Sequence, residues 1–347
     1  MKEVLIIGPS PDRIGGVSTH ISRLTSLLSN QYEFDYIDEG RGKRREYYNL
    51  RKGNIFTYFK KIRNADIVHI HSGVFLLRFL HILFSRLLFR KYVVVSIHHD
   101  LAVEGHVSLT RSLLAKCNCA ILDSNSIYDS VIQQGVRCSY EIMPAFLPPL
   151  EDKEEELPDN VKKWIIRVKQ APESVLMCSS SYSIGDYNGY DLYGNDMSIE
   201  AIRELNGKMT GKSFYLLMIV HNSENNPEKL KYYENKISEV GDGRILLLTS
   251  PVSFINVMKE SDVVLRPTNT DGDSITIREA LFFSKAIVAS DCAKRPEGTF
   301  VFKTRDMDDF CNKILMAVQG NQNNSIKDVD YQSFYIRCYE NDSSSRK

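Results

Sequence analysis

The chain has 347 residues and a formal net charge of zero, so the strong basic excess of a nucleic-acid-binding protein is absent and no nucleic-acid partner is expected. A hydrophobic fraction of 43% is enough for real cores, and the length suits about two domains. Seven scattered cysteines, without a CxxC pair, argue against a disulfide framework and for a reduced cytoplasmic setting.

The opening stretch MKEVLIIGPSPDRIGG carries no signal-peptide pattern and leads straight into a strand-like run at residues 4–7, bounded by Gly8, Pro9 and Pro11. From Gly16 the period changes. Val17, Ile21, Leu24 and Leu28 recur at three- and four-residue steps and predict an amphipathic helix. Strand-like runs follow at 34–37, 67–70, 92–97 and 119–122, and a helix over 124–134 would close at Gly135. Residues 144–160 break the alternation. Pro144, Pro148 and Pro149 lead into the acidic run EDKEEE, and Pro158 ends it, as suits an interdomain linker. The pattern restarts with strands at 174–178, 214–220, 244–248, 263–265 and 286–289. Strands alternating with helices imply an α/β class, here two doubly wound halves with mostly parallel sheets.

Ligands of such folds sit at the carboxyl ends of the strands, which selects three segments. GPSPDRIGGVSTH, residues 8–20, places Gly15 and Gly16 before a helix N-terminus, where backbone approaches an anion easily. It matches neither a dinucleotide nor a P-loop pattern, and a plain glycine-rich turn explains it equally well. SIHHD puts His98, His99 and Asp100 just past a strand. Adjacent histidines on an extended chain point to opposite faces, so they make a poor metal pair.

TNTDGDSITIRE, residues 268–279, gathers Asp271, Asp273 and Glu279. A calcium loop starting at Asn269 would need Gly and Glu where Ser274 and Ala280 stand. Two readings stay open. Thr276 and Glu279 match a capping box, or a strand, polar loop and helix start face a phosphate while the carboxylates accept bonds from sugar hydroxyls. Residues 73–93 are apolar but for Arg78, His81, Arg86, Arg90 and Lys91. They fit a buried crossover helix with snorkelling arginines, or an interfacial membrane helix. The basic run at 40–53 reads as a solvated loop or an anion-binding surface.

The block SDVVLRPTNTDGDSITIREALFFSKAIVASDCAKRPEG resembles the most characteristic segment of retaining family-4 glycosyltransferases of the two-Rossmann GT-B fold. That pattern has a strand, Pro-Ser, Glu-Gly-Phe-Gly-x-x-x-x-Glu-Ala, a second strand and a Gly-Gly-x-Pro-Glu loop. Pro267, Gly272, Glu279, Ala280, Pro296 and Glu297 fall in its register. GPSPDRIGGVSTHISRL is similar to the family's acceptor-side glycine loop, SIHHD to its strand-end histidine segment, and DYQSFYIRCYEN to its closing helix.

The resemblance implies two Rossmann-like domains facing each other across a cleft: an acceptor-side domain over 1–150, a nucleotide-sugar domain over 151–328, and a closing helix in 329–347. It implies that Glu279 accepts bonds from the ribose hydroxyls and that Asp271 lies near the hydroxyls of the transferred sugar. Gly272, Asp273, Ser274 and Ile275 would offer backbone N–H groups, and Thr276 would open the helix that meets the diphosphate. His98 would lie near the reacting sugar, and Gly15 and Gly16 near donor phosphate and acceptor.

Three departures stand out: Asp271 where the family has Glu, HNSENNP in place of a glycine-rich loop, and no counterpart of an Arg/Lys pair early in the second domain. Arg266, Lys294 and Arg295 are the candidates to supply that charge, with Asn188, Gly189, Asp191 and Asn195 lining the same side. The implied activity is metal-independent, retaining transfer from a nucleotide-diphosphate sugar, without a further cofactor, to a glycan or polyprenyl-linked acceptor in surface-polysaccharide assembly. A peripheral contact with the cytoplasmic membrane face accompanies that reading. The alternatives are a nucleotide-sugar epimerase of the same fold and a partner subunit with a decayed donor site.

Overall fold

The computed structural model describes residues 1–13, 15–41, 46–98, 107–124, 127–129, 135, 139–208, 211–320 and 329–340. The chain divides into two compact units, Met1–Leu147 with Asp328–Lys347, and Pro148–Lys327.

The first unit is built on a seven-stranded parallel sheet of β1 (Lys2–Gly8), β2 (Tyr32–Asp38), β3 (Tyr48–Asn49), β4 (Ile67–Ile70), β5 (Tyr92–Ile97), β6 (Cys119–Leu122) and β7 (Tyr140–Ile142). The order in space is β3-β2-β1-β4-β5-β6-β7. Strands buried on both faces read as unbroken apolar runs, which is why Val4–Ile7 alternates with nothing polar. Helix α1 (Gly16–Leu27) lays Ile21 and Leu24 on one face of the sheet, beside Val4, Ile6 and the C-terminal helix Tyr331–Glu340. Helices α2 (Ile55–Asn64) and α3 (Phe75–Ile82) cover the other face through Tyr58, Ile62 and Ile82. Helix α4 (Val107–Leu114) precedes β6. The helix expected over 124–134 lies largely outside the described residues.

Within the apolar stretch 73–93, α3 is continued by one π-helical turn, Leu83–Leu88, and Tyr92 and Val93 already belong to β5. Arg78 does not snorkel to water as expected of the arginines; it is buried, as is His81. His81 sits between the Tyr58 hydroxyl and the Glu39 carboxylate, 2.8 Å from each, and this chain of bonds pins α3 to α2 and to the end of β2. Among the described residues no helix is long and apolar enough to cross a membrane.

The second unit has a six-stranded parallel sheet ordered β12-β11-β8-β13-β14-β15 and an antiparallel hairpin of β9 with β10. The strands are β8 (Ser174–Ser181), β9 (Asp186–Tyr187), β10 (Tyr190–Asp191), β11 (Ser213–Val220), β12 (Ile245–Leu248), β13 (Val263–Arg266), β14 (Ala286–Ser290) and β15 (Phe300–Phe302). One face is covered by α6 (Asn195–Lys208), α7 (Pro227–Val240) and α10 (Met307–Gln319). The opposite face takes α5 (Asp159–Gln170), α8 (Phe254–Glu260) and α9 (Ile275–Phe282).

In both sheets the strand order reverses beside the first strand, between β1 and β4 and between β8 and β13. The loops leaving those strands diverge and open a crevice at their carboxyl ends. Two of the three candidate segments emerge there, the loop after β1 that leads to Gly15 and residues 267–274 after β13; His98 follows β5, one strand further along the first sheet.

Gly194 locks the second crevice. It holds φ at +69°, and a Cβ there would stand 2.0 Å from the Pro267 carbonyl oxygen. Gly194→Ala is therefore expected to destabilise this unit by about 2–4 kcal/mol in denaturant unfolding. A change within about 0.5 kcal/mol, the ordinary surface range, would show that the loop yields freely.

Candidate functional site

In the second unit, the loop from Pro267 to Ser274 is held from below before any ligand is considered. The Thr268 hydroxyl donates to the Leu192 carbonyl at 2.8 Å, the Asn269 backbone N–H to the same carbonyl at 3.0 Å, and the Asn269 amide to the Asp191 carbonyl. Asp191 is itself buried, and burial pushes its carboxyl up despite the Tyr233 hydroxyl that donates to it. It accepts the N–H groups of Tyr193 and Gly194, both at 3.0 Å, and so shapes the turn under the loop. Asn195 donates to Ser181 at 3.3 Å, and Asn188 and Gly189 form the tight turn of the hairpin with positive φ. Of these four residues, Asp191 and Asn195 thus build the support of the crevice.

Asp271 is the centre of the loop. Arg266 donates to it through Nε and Nη2, both at 3.1 Å, Arg295 through Nη1 at 3.0 Å, and the Gly272 N–H at 3.2 Å. Burial raises its carboxyl, but the two guanidinium groups, Arg266 foremost, more than reverse this and hold it below the usual carboxylate range. Asp271 was expected near sugar hydroxyls; its oxygens already accept four hydrogen bonds. Arg266 also lies over the Tyr193 ring, 5.4 Å from the centroid, and reaches toward the Ser180 carbonyl at the end of β8. Arg295, only 1% exposed, is anchored by the Ser290 carbonyl at 2.8 Å. Two arginines around one carboxylate leave a net positive charge at the switch point. Lys294 is exposed.

Helix α9 starts one residue before Thr276, with Ser274 as its cap residue, and the Ser274 side chain makes no capping bond. The capping box of Thr276 and Glu279 is thereby out of register. Thr276 is the second helical residue, and Glu279 is buried on the second turn. Asp273 instead ties the loop to the helix, accepting from Arg278 Nε at 2.8 Å. Gly272 is exposed, with open space where a Cβ would stand, so the backbone around it is accessible to a ligand. The arrangement can hold an anion: first-turn N–H groups that the Ser274 side chain does not cap, a partial positive helix end, and two fixed guanidiniums.

In the first unit, Gly15 has φ of +144° and caps α1, with Gly16 as the first helical residue. The preceding loop is clamped by buried Asp38, which accepts from the Ser10 N–H at 3.1 Å, Arg13 Nε at 3.0 Å and Asn49 at 2.9 Å. Burial works to raise that carboxyl, and the Arg13 hydrogen bond with the others brings it below its ordinary value.

His98, after β5, is half-buried, and both of its ring nitrogens are engaged. Nδ1 lies 2.6 Å from Asp123 after β6, and Nε2 lies 3.0 Å from His71 Nδ1 after β4. With the Nδ1 proton directed at the carboxylate, the tautomer that completes the chain has His98 Nε2 accepting from His71 Nδ1–H. His20 of α1 sits 5.5 Å from both rings, centroid to centroid, and its Nδ1 donates to the Ala145 carbonyl at 2.6 Å. His69 is held by Tyr339 at 2.8 Å and Ser96 at 2.9 Å. Among the described residues, His71 Nε2 is buried without a partner. His99 and Asp100 lie outside the described residues.

Sequence reasoning singled out His98 but missed His20, His69, His71 and Asp123. The spacing VHIH was a usable signal, since residues two apart on a strand share a face. Among the described residues no group of three His, Cys, Asp or Glu side chains is arranged to hold a metal ion.

No family model matches the chain, and no curated protein sequence does. Solved structures do match in fold. HepE from Anabaena, in complex with UDP and glucose, aligns with a TM-score of 0.67 at 12% identity, over 93% of this chain and 92% of that one. A glycosyltransferase from Rickettsia africae aligns with a TM-score of 0.67 at 15% identity, over 98% and 93%. The lipopolysaccharide outer core galactosyltransferase WaaB gives 0.61 at 14%, over 98% and 99%. The chain has two parallel-sheet α/β domains of the kind these GT-B glycosyltransferases share.

Proposed function

We propose that the protein is a retaining glycosyltransferase that moves a hexosyl group from a nucleotide-diphosphate sugar to a glycan or polyprenyl-linked acceptor, without a metal ion. The observation that carries this reading is the anion cradle at the start of α9: an N-terminus that its cap residue Ser274 leaves without a side-chain bond, flanked by Arg266 and Arg295, with Glu279 buried one turn further on. Breaking a sugar–phosphate bond places negative charge on the leaving diphosphate. Fixed dipoles and guanidiniums stabilise that charge without reorganising.

Arg266 and Arg295 take the part of the absent Arg/Lys pair, approaching from β13 and from the loop after β14. Gly272, Asp273 and Ser274 present backbone to the donor, and Glu279 accepts from the ribose hydroxyls. On the acceptor side, Gly15 and Gly16 leave the start of α1 open, and Asp123 and His71 fix the orientation of the His98 ring. With both nitrogens engaged, His98 acts through position rather than as a free base. The fold neighbours include HepE structures with UDP and with UDP-glucose, which makes uridine nucleotides the first ligands to try.

The test is calorimetric titration with a panel of nucleoside diphosphates. Glu279→Ala should weaken binding roughly 10- to 100-fold, the range for a charge-assisted hydrogen-bonding group. No detectable binding of any common nucleoside diphosphate to the unaltered protein would sink the proposal.

A further inference from the structure

At the opposite end of the first sheet, where β5 and β6 begin, an open pocket of about 470 Å³ is lined by Arg86, Leu87, Arg90, Ala115 and Lys116. Three of its five lining residues are cations, and none is a carboxylate. Like charges brought together in this way repel, so the arrangement is stable only if other forces hold it.

They do. Arg86 Nε donates to the Lys116 carbonyl at 2.9 Å and its Nη1 to the Lys91 carbonyl at 3.2 Å, so one guanidinium clips together the segments entering β6 and β5. The π-helical turn Leu83–Leu88 and the left-handed backbone of Arg90, φ +53°, then turn Arg90 into the same pocket. Both are uncommon backbone states that cost energy and concentrate at functional positions. Asp66, which enters β4 at the same end of the sheet, does not line the pocket; it accepts the Glu3 N–H at 2.9 Å. Beside the cations, Leu87 and Leu88 are 51% and 61% exposed, two large apolar side chains in water.

We propose that this pocket binds the phosphate of an anionic phospholipid headgroup, with Leu87 and Leu88 entering the interfacial layer of the membrane. A phosphate oxygen accepts hydrogen bonds from guanidinium and ammonium groups, and the leucines supply the apolar contact that a soluble phosphate would not use. The surface lies at the amino ends of the strands, away from Gly15, Gly16 and His98, so membrane contact here leaves the strand-end crevice of this unit uncovered.

The experiment is co-sedimentation of the full chain with phosphatidylcholine vesicles, with and without phosphatidylglycerol, at low and high salt. Binding should require the anionic lipid and weaken with salt. Neutralising two cations, in Arg90→Ala with Lys116→Ala, should reduce the partition coefficient roughly 30-fold. Leu87→Ser with Leu88→Ser should also weaken it, and Arg90→Lys with Lys116→Arg should retain it. Thermal midpoints of the variants establish that each is folded. Equal binding to both vesicle types, or an unchanged partition of the Arg90/Lys116 variant, overturns the proposal. So does saturable binding of inorganic phosphate that the same variant abolishes, without any vesicle binding, because the site would then serve a soluble anion.

Discussion

Lowering the pH from about 7 to about 5 is expected to destabilise the first unit by several kcal/mol, well before the second unit responds. His20, His69 and His71 are buried beneath the strand ends with 2%, 0% and 1% exposure. Burial lowers His20 to about 4, helped by the neighbouring His98, and puts His69 and His71 well below the ordinary histidine value, with neighbouring imidazoles adding to the effect. These groups are neutral when folded and protonate near pH 6.5 when unfolded. The unfolded chain therefore binds more protons, and the stability these groups contribute is present above about pH 6.5 and lost as the pH falls toward the folded values.

With three such groups the slope approaches about 4 kcal/mol per pH unit once the unfolded histidines are charged. A domain stability of about 5–15 kcal/mol is exhausted within a few pH units at that slope. The second unit carries a single histidine, His221, and the chain's one tryptophan, Trp164. Tryptophan fluorescence should consequently stay native while far-ultraviolet dichroism reports loss of the first unit. His71→Phe, which keeps an aromatic ring and removes one titrating group, should flatten the pH dependence by about a third. A midpoint that does not move between pH 7 and 5 would refute this account of the cluster.

The histidine cluster also shows where sequence reading stops. Strands at 67–70, 92–97 and 119–122 are legible to the residue, because a strand buried on both faces is a mostly apolar run, broken here only by His69 and Ser96. The hairpin of β9 and β10 is not, since two-residue strands carry no period. His69 lies inside the run 67–70 and His71 just past it, and only the parallel register of β4, β5 and β6 places His71, His98 and Asp123 side by side. A capping box would make Thr276 the cap residue, whereas the cap is Ser274, two residues earlier, which turns Thr276 and Glu279 into ordinary helical positions. Asp271 was chosen for its place after Pro267 in a sequence block. Its partner Arg295 lies 24 residues away, brought close by β14, and no local spacing announces such a pair.

That pairing makes Asp271 the most consequential single position in the second unit. Asp271→Ala leaves the Arg266 and Arg295 guanidiniums, 14% and 1% exposed, facing each other without their shared counterion. Removing one partner of a buried ionic group costs about 3–5 kcal/mol, because the charges that remain stay desolvated. The loss should appear as a lower thermal midpoint of this unit. Pyrophosphate should restore part of it, since an anion that binds the folded state alone stabilises by mass action.

If the arginines form the diphosphate cradle, the carboxylate of Asp271 holds them in place while neutralising part of their charge. Pyrophosphate should then raise the midpoint of Asp271→Ala more than that of the unaltered protein. If Asp271 served only as an acceptor for sugar hydroxyls, its loss would weaken sugar nucleotides and leave the pyrophosphate response unchanged. Equal shifts in both proteins would therefore remove Arg266 and Arg295 from the donor cradle, and the helix start of α9 would have to hold the diphosphate on its own.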